Sequence, residues 1–332
     1  MPVRANSSMS VLYGSDTRIV TRLSGWRDGY NRVVVVARVI EADMMTVALP
    51  AESVDLIVTS PPYGLGKAYG ACTDDWSFDA YLSLFRAWMA RCYEWLKPDG
   101  RSCVNIPLDT TVGGRRGAGA VLTTALLEVG FQYHATIVWD KGYINARTAW
   151  GSWRSARAPS VIATAELIVV VYKHEWRKRA SGVSDLTRDE FMDWVRGVWR
   201  IKPASAKRAE HPAPFPMEIP HRLIKLFSYV GDTVLDPFAG TGTTLVAAYT
   251  LGRNSIGIEI EPRYAQLARD ALAKVGARPL ETLEPVVPDI EYLRQAVHSM
   301  DIVPDGMSIV EYVDWLRQTD DAGARSTSEE PR

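Results

Sequence analysis

Apolar and polar positions follow two alternating regimes along this chain. Short β-branched runs are succeeded by longer stretches with apolar residues three and four positions apart. Val33 to Ile40 is apolar except for Arg38 and predicts a buried strand leaving into Glu41-Ala42-Asp43. Val54 to Thr59, VDLIVT, predicts a second strand and runs into Ser60-Pro61-Pro62-Tyr63. Proline has no N–H for a sheet ladder, so the chain turns there. Phe78 to Leu96 has helical spacing, and Lys97-Pro98-Asp99-Gly100 reads as its stop. Further strands are expected at Ser102 to Ile106, Tyr133 to Trp139, Leu167 to Tyr172, Thr233 to Leu235 and Ser255 to Ile260. Helices are expected at Val121 to Val129, Ile219 to Tyr229 and Leu245 to Leu251, and Gly113 to Gly119 reads as a Gly/Arg loop. Residues 173–215 show no clean period and include Pro203, Pro212 and Pro214, with Pro216 just beyond, so no regular element is expected there. Gly25 and Gly29 suggest turns in an N-terminal arm or small hairpin. Ile290 to Leu316 has helical spacing, and the polar end, Ala322 to Arg332, is expected to be disordered. Strand and helix alternate, which predicts an α/β fold with a mostly parallel, doubly wound sheet and helices on both faces.

Composition narrows the class. At 332 residues, 47% hydrophobic and 23% charged, the chain can bury a large core without disulfide staples. The longest apolar runs fall far short of the roughly 18 residues of a membrane span, and Met1 to Ser10 lacks the apolar core of a secretory signal. Three cysteines without a CxxC pair and five scattered histidines suggest reduced thiols and no metal site. The net charge of −1 hides an asymmetry: residues 141–211 hold 14 basic and 7 acidic side chains, and residues 279–332 hold 4 and 12. A basic block in a near-neutral protein suits a phosphate polymer, or is simply a solvated face.

Two turns hold the candidate chemistry. The first is Asp236-Pro237-Phe238-Ala239-Gly240-Thr241-Gly242-Thr243-Thr244, between a strand and a helix. Its glycines allow a sharp turn and close approach of a ligand, and Glu259 at the end of the next strand can accept from both hydroxyls of a ribose. The third glycine of a dinucleotide fingerprint is missing, as is the Gly-Lys-Ser/Thr of a phosphate loop. Asp236 would repel a pyrophosphate and suits a cation, which points to an aminoacyl sulfonium nucleoside. The second is Thr59-Ser60-Pro61-Pro62-Tyr63. An exocyclic nucleobase amine is a poor nucleophile because its lone pair is delocalised. Ser60 and the Pro61 carbonyl can accept its hydrogens, Pro62 helps to fix that carbonyl, and Tyr63 offers a π face to an extruded base. Either turn alone would also fit an ordinary corner of the fold.

Together the ordered segments resemble one family. VDLIVTSPPYG, VWDK at 138–141, ELIVVVYK at 166–173, HPAPFPMEIPHRLIKLFSYVGD at 211–232, VLDPFAGTGTT and SIGIEIEPRY are similar to the β-class DNA amino-methyltransferases, whose catalytic turn precedes the cofactor turn by circular permutation. The TSPPY form resembles the cytosine-N4 enzymes of restriction–modification systems. The resemblance implies a Rossmann-like fold with a seven-stranded sheet, S-adenosylmethionine as donor and double-stranded DNA as partner. It implies that Ser60, Pro61, Pro62 and Tyr63 hold the target base. The cofactor would be met by Asp236, Pro237, Phe238, Ala239, Gly240, Gly242 and Thr243 at its methionine part, Glu259 at the ribose and Asp43 near the adenine. His211, Pro214 and Phe215 would form the remaining cofactor contact.

The resemblance covers most of residues 39–275, and the expected organisation is an arm at 1–32, a catalytic half at 33–141 and a target-recognition region at 142–210 interleaved with the strand at 166–173. A cofactor half at 211–278 and an acidic helical extension at 279–332 complete it. DNA contacts are expected from Arg115, Arg116, Lys141, Arg147, Arg154, Arg157, Arg177, Lys178, Arg179, Lys207 and Arg208. The resemblance leaves open a homodimer, a companion restriction endonuclease and adenine N6 as the alternative target. It implies a cytoplasmic protein of a bacterium, archaeon or phage. A recognition subunit without catalysis, or a methyltransferase for RNA or a small molecule, are the rival classes. A cytosine-C5 enzyme is disfavoured, since no cysteine follows a proline in the catalytic turn.

Overall fold

The computed structural model describes residues 16–22, 34–63, 68–69, 72–73, 77–110, 116–142, 151–161, 163–204 and 216–279. The strands are β1 (Asp16–Arg22), β2 (Val34–Glu41), β3 (Val54–Thr59), β4 (Ala68–Tyr69), β5 (Cys72–Thr73), β6 (Leu96–Pro107), β7 (Gln132–Asp140), β8 (Ala165–Tyr172), β9 (Val198–Arg200), β10 (Thr233–Asp236), β11 (Asn254–Glu259) and β12 (Arg278–Pro279). The helices are α1 (Phe78–Trp95), α2 (Ala118–Val129), α3 (Arg188–Trp194), α4 (Glu218–Phe227), α5 (Thr243–Thr250) and α6 (Pro262–Lys274). Among the described residues, one ten-stranded sheet has the order β12-β1-β2-β11-β10-β3-β6-β8-β7-β9, and β4 pairs with β5. Within that sheet only β1 and β8 run against the other eight strands.

The expected seven strands are the central ones, from β2 through to β7 in the sheet order, and the sheet extends beyond them at both edges. At one edge the predicted arm supplies β1, paired with β2 from Asp16↔Ile40 to Arg22↔Val34. At the other, β9 pairs in parallel with β7. Side chains of β3 alternate between two layers. Ile57 packs with Phe85, Trp88 and Leu122 of α1 and α2, whereas Leu56 and Val58 pack with Ile219, Leu223 and Ala247 of α4 and α5. A third cluster seats Leu245 of α5 and Ala265, Ala268 and Leu272 of α6 on Val35, Ala37 and Val39 of β2. Cys92 and Cys103 are free and buried, and burial pushes both thiols up, which leaves them unreactive.

Three elements depart from the sequence reading. Lys97 to Gly100 ends the helix as expected but is already strand, since β6 starts at Leu96 opposite Val54. Ala118 and Gly119, expected in a loop, begin α2 because Gly119 lets the helix lie on β8; an added Cβ there would sit 2.6 Å from Leu167 Cδ1. Residues 173–215, expected to be irregular, contain α3 and β9. Helix α3 is held by a capping box in which the Thr187 hydroxyl accepts from Glu190 N–H at 3.3 Å and the Glu190 carboxylate accepts from Thr187 N–H at 2.8 Å. The expected helices beyond residue 279 lie outside the described residues.

Candidate active site

Strand order places the candidate residues in one row. At the edge where the parallel strands end, adjacent strands present Asp43 (after β2), Glu259 (β11), Asp236 (β10), Ser60 (after β3) and Asn105 (β6). The row continues with Glu166 at the start of antiparallel β8 and Lys141 after β7. Neighbouring strands are about 4.8 Å apart, so the two candidate turns face each other at one crevice. There the connections diverge, from β10 toward β11 and from β3 toward β6, the position where open α/β sheets take their ligands.

On the β10–β11 side, Gly240 and Gly242 take φ of 52° and 83°, a conformation that side chains disfavour. The resulting turn aims Gly240 N–H at Glu259 Oε2, 2.7 Å away, while Glu261 N–H meets Glu259 Oε1 at 2.9 Å. Glu259 is thereby fixed and buried, and burial holds its carboxyl above the usual range. Asp236 is buried as well and is raised to about 6 by desolvation. Its hydrogen bonds come from neutral donors, including Thr59 Oγ1 at 2.7 Å and Phe238 N–H at 3.1 Å. The Thr59 bond ties the Ser60 turn directly to the turn that follows Asp236. Phe238 is held edge-on by Trp88 of α1, with ring centroids 5.0 Å apart. Asp43 is exposed beyond β2, its Oδ1 accepting from Met45 N–H at 2.9 Å.

On the β3–β6–β8 side, the Tyr63 hydroxyl turns inward. It lies 2.9 Å from Ser60 Oγ and donates to Glu166 Oε2 at 3.0 Å. Asn105 Nδ2 donates to the Tyr63 oxygen and to Glu166 Oε2, each at 2.6 Å, and is 3.4 Å from Ser60 Oγ. The carboxylate only accepts, which sets the orientation of the amide and leaves Asn105 Oδ1 without a partner among the described residues. Lys141 Nζ bonds Glu166 Oε1 and lies over the Trp139 ring. Burial, with Glu166 second, raises the Tyr63 phenol well above its ordinary value. Asn105 and Glu166 do not stand out in the sequence, since one polar residue in an apolar strand has no local signature. The signal available is that each stands near a strand end, Asn105 toward the end of β6 and Glu166 at the start of β8.

The comparisons with known proteins agree with this geometry. Residues 54–270 match the family described as DNA methylase, of the N6/N4 type. The chain belongs to the N6/N4 DNA methylase family. The type II methyltransferase M.MjaVI of Methanocaldococcus jannaschii is 45% identical over 171 residues, 52% of this chain and 88% of the relative. The type II methyltransferase M.HpaI of Haemophilus parainfluenzae is 29% identical over 237 residues, 68% of this chain and 69% of the relative. A protein of Thermus thermophilus described as a DNA modification methylase, solved with S-adenosyl-L-methionine, superposes with a TM-score of 0.56 at 30% identity, covering 71% of this chain and 93% of that one. The cytosine-N4-specific PvuII DNA methyltransferase shares the fold, with a TM-score of 0.56 at 21% identity over 77% of this chain and 90% of that one.

The methylase uses S-adenosylmethionine as donor, and the residues present fit it. A buried carboxylate bonded only by neutral donors, as at Asp236, is completed by a cation, and the methionine part of the donor carries ammonium and sulfonium charge. Glu259 keeps lone pairs on both oxygens beyond the two backbone N–H groups it accepts. His211, Pro214 and Phe215 lie outside the described residues.

The basic side chains of the methylase divide by sheet edge. Arg116 follows β6 at the catalytic edge, exposed, with its guanidinium 4.7 Å from the Phe78 ring centroid. Arg154 and Arg157 are exposed in a turn closed by the Gly151↔Pro159 bridge, after β7. Residues 177–179 follow β8, whose last residue pairs with Arg101 near the start of β6, and so stand at the opposite edge. Lys178 corrects the expected DNA contact. Its ammonium is buried between Asp55 at 3.4 Å and Asp232 at 2.8 Å, because two carboxylates there need a cation. Arg179 pairs with Glu175 at 2.6 Å, Arg177 is exposed, and Lys141 is committed to Glu166. Arg115, Arg147, Lys207 and Arg208 lie outside the described residues. No helix among the described residues is long and apolar enough to cross a membrane.

Proposed function

We propose that this methylase transfers a methyl group to the exocyclic N4 of a cytosine extruded from a specific site in duplex DNA. The observation that carries this reading is the Ser60 hydroxyl, a neutral acceptor at the head of the Pro61-Pro62-Tyr63 turn, one strand from Asp236 and tied to it through Thr59. S-adenosylmethionine, when bound, supplies a methyl group activated on a sulfonium sulfur. Asp236, Pro237, Phe238, Ala239, Gly240, Gly242 and Thr243 hold its methionine part, Glu259 its ribose, and Asp43 stands toward the adenine. Ser60 Oγ and the Pro61 carbonyl accept the amine hydrogens. These bonds strengthen as nitrogen becomes positive, so they favour the transition state over the ground state. The Tyr63 ring, anchored at its hydroxyl by Glu166 and Asn105, is pre-set to stack on the base. Arg116, Arg154 and Arg157, exposed at the catalytic edge, meet DNA.

The test is to incubate the protein with labelled donor and duplex DNA, then identify the modified nucleoside by mass spectrometry. N4-methylcytosine is the expected product. N6-methyladenine would overturn the choice of base and retain the family, and label entering only RNA or free nucleosides would overturn the substrate. Ser60→Ala should lower kcat by roughly 10²–10³ while cofactor and DNA affinities stay near normal.

A further inference from the structure

The amino-methyltransferase reading of the Ser60 turn leaves a proton to account for, and the relay inferred from it rests on that reading. Methyl transfer breaks the S–C bond, whose electrons stay on sulfur, and forms an N–C bond with the amine lone pair. The nitrogen is then cationic and must lose a proton to give a neutral base. A serine hydroxyl can receive that proton only by passing its own onward. Asn105, level with Ser60 on β6, is an amide and cannot take it. Asp236 is reached from the catalytic turn only through Thr59 and faces the cofactor side. Glu166 is the carboxylate joined to Ser60 by an unbroken run of hydroxyls: Ser60 Oγ to Tyr63 Oη at 2.9 Å, and Tyr63 Oη to Glu166 Oε2 at 3.0 Å.

We propose that Glu166 is the terminal proton acceptor of the methylation, connected to the target amine through Ser60 and Tyr63. The amine N–H bond breaks, its electron pair returns to conjugation with the ring, and the proton goes to Ser60 Oγ. The Ser60 hydroxyl proton goes to Tyr63 Oη, and the Tyr63 proton to Glu166 Oε2. One proton moves from nitrogen to carboxylate, and nothing is oxidised or reduced. The surroundings fit a relay better than a simple clamp. Lys141 holds Oε1, leaving Oε2 for Tyr63. Asn105 Nδ2 donates to both Tyr63 Oη and Glu166 Oε2 at 2.6 Å and so keeps the pair in register. The side chains of Glu166 and Lys141 remain 14% and 20% exposed, so water can clear the proton afterwards. Among the described residues, the titratable groups bonded to Glu166 are Lys141 from the end of β7 and Tyr63 from the turn after β3, with Tyr81 of α1 acting on Tyr63.

Two variants test the relay. Glu166→Gln keeps the shape and removes the acceptor, and Tyr63→Phe keeps the ring and removes the link. Each should slow single-turnover methylation of a duplex by roughly 10²–10⁴. Donor affinity by calorimetry and DNA affinity by fluorescence anisotropy should hold near wild type. The double variant should be no slower than the worse single one, because both cut the same path. Glu166→Asp should recover part of the rate. A Glu166→Gln protein with the wild-type single-turnover rate, or with a loss confined to DNA affinity, overturns the relay and leaves Glu166 as an anchor for the Tyr63 ring. A wild type that methylates no base overturns the underlying reading and the relay with it.

Discussion

Asp236 shows what burying a carboxylate costs when the hydrogen bonds it accepts come from neutral donors. Desolvation raises its carboxyl from an ordinary 3.8 to about 6. The folded value lies above the unfolded one, so the ionised form opposes folding by about 3 kcal/mol, fully so above that window. Stability of the cofactor-free protein should therefore rise as pH falls from about 6 toward 3.8, and Asp236→Asn should gain up to about that much at pH 7 in denaturant unfolding. The same substitution should abolish donor binding in calorimetry, because the neutral amide no longer attracts a cation. Wild-type donor affinity should weaken as pH drops through about 6. Equal donor affinity in Asp236→Asn would remove Asp236 from the cofactor site. The expectation for this residue came from its neighbours in the sequence, the paired glycines and Glu259. Its energetic cost was not, because burial depends on elements distant in the chain.

At the scale of elements, α5 begins where it does because Gly242 caps it at φ 83°. An added Cβ would lie 2.9 Å from both Cα and Cβ of Ala268, so α6 packs against the cofactor turn itself. Gly276 provides a comparison, with φ 86° and no atom within 4 Å of an added Cβ. Gly276→Ala should cost about 1–2 kcal/mol for backbone conformation alone. Gly242→Ala should unfold at clearly lower denaturant and also weaken donor binding, since the turn must shift. Equal unfolding midpoints would mean the contact with Ala268 is easily relieved. Strand β3 coincides with its predicted range, Val54 to Thr59, because a short apolar run closed by Pro-Pro is its own punctuation. Helix α3 escaped notice: seven residues give barely two turns of period and none of its residues is buried. Its capping box was the one signal present.

Across the whole molecule, the fold sorts the basic block of residues 141–211 into charges that face solvent and charges already used. Arg154→Ala and Arg157→Ala should each weaken DNA binding and flatten its salt dependence by a slope of about one. Lys178→Ala should leave that slope alone and destabilise the protein by on the order of 3 kcal/mol, since it strands Asp232 and weakens the support of Asp55. Anisotropy titrations at several salt concentrations, paired with denaturant unfolding, separate the two classes. An unchanged slope in Arg154→Ala and Arg157→Ala would make that turn a solvated surface.

The sequence by itself determined the strand–helix alternation, the two chemical turns and their permuted order. Each is written in local chemistry: β-branched runs, Pro-Pro after Ser60, and Gly-Thr-Gly after Asp236. The tertiary structure decided which distant residues share a strand end. Asn105 and Glu166 stand 61 positions apart in the chain yet meet Tyr63 within hydrogen-bond distance, because β6 and β8 pair with Pro107 opposite Glu166. Register across a sheet is set by the packing of whole faces, so no window of sequence holds it. The same holds for Lys178, a surface cation by composition and a buried counter-ion by fold.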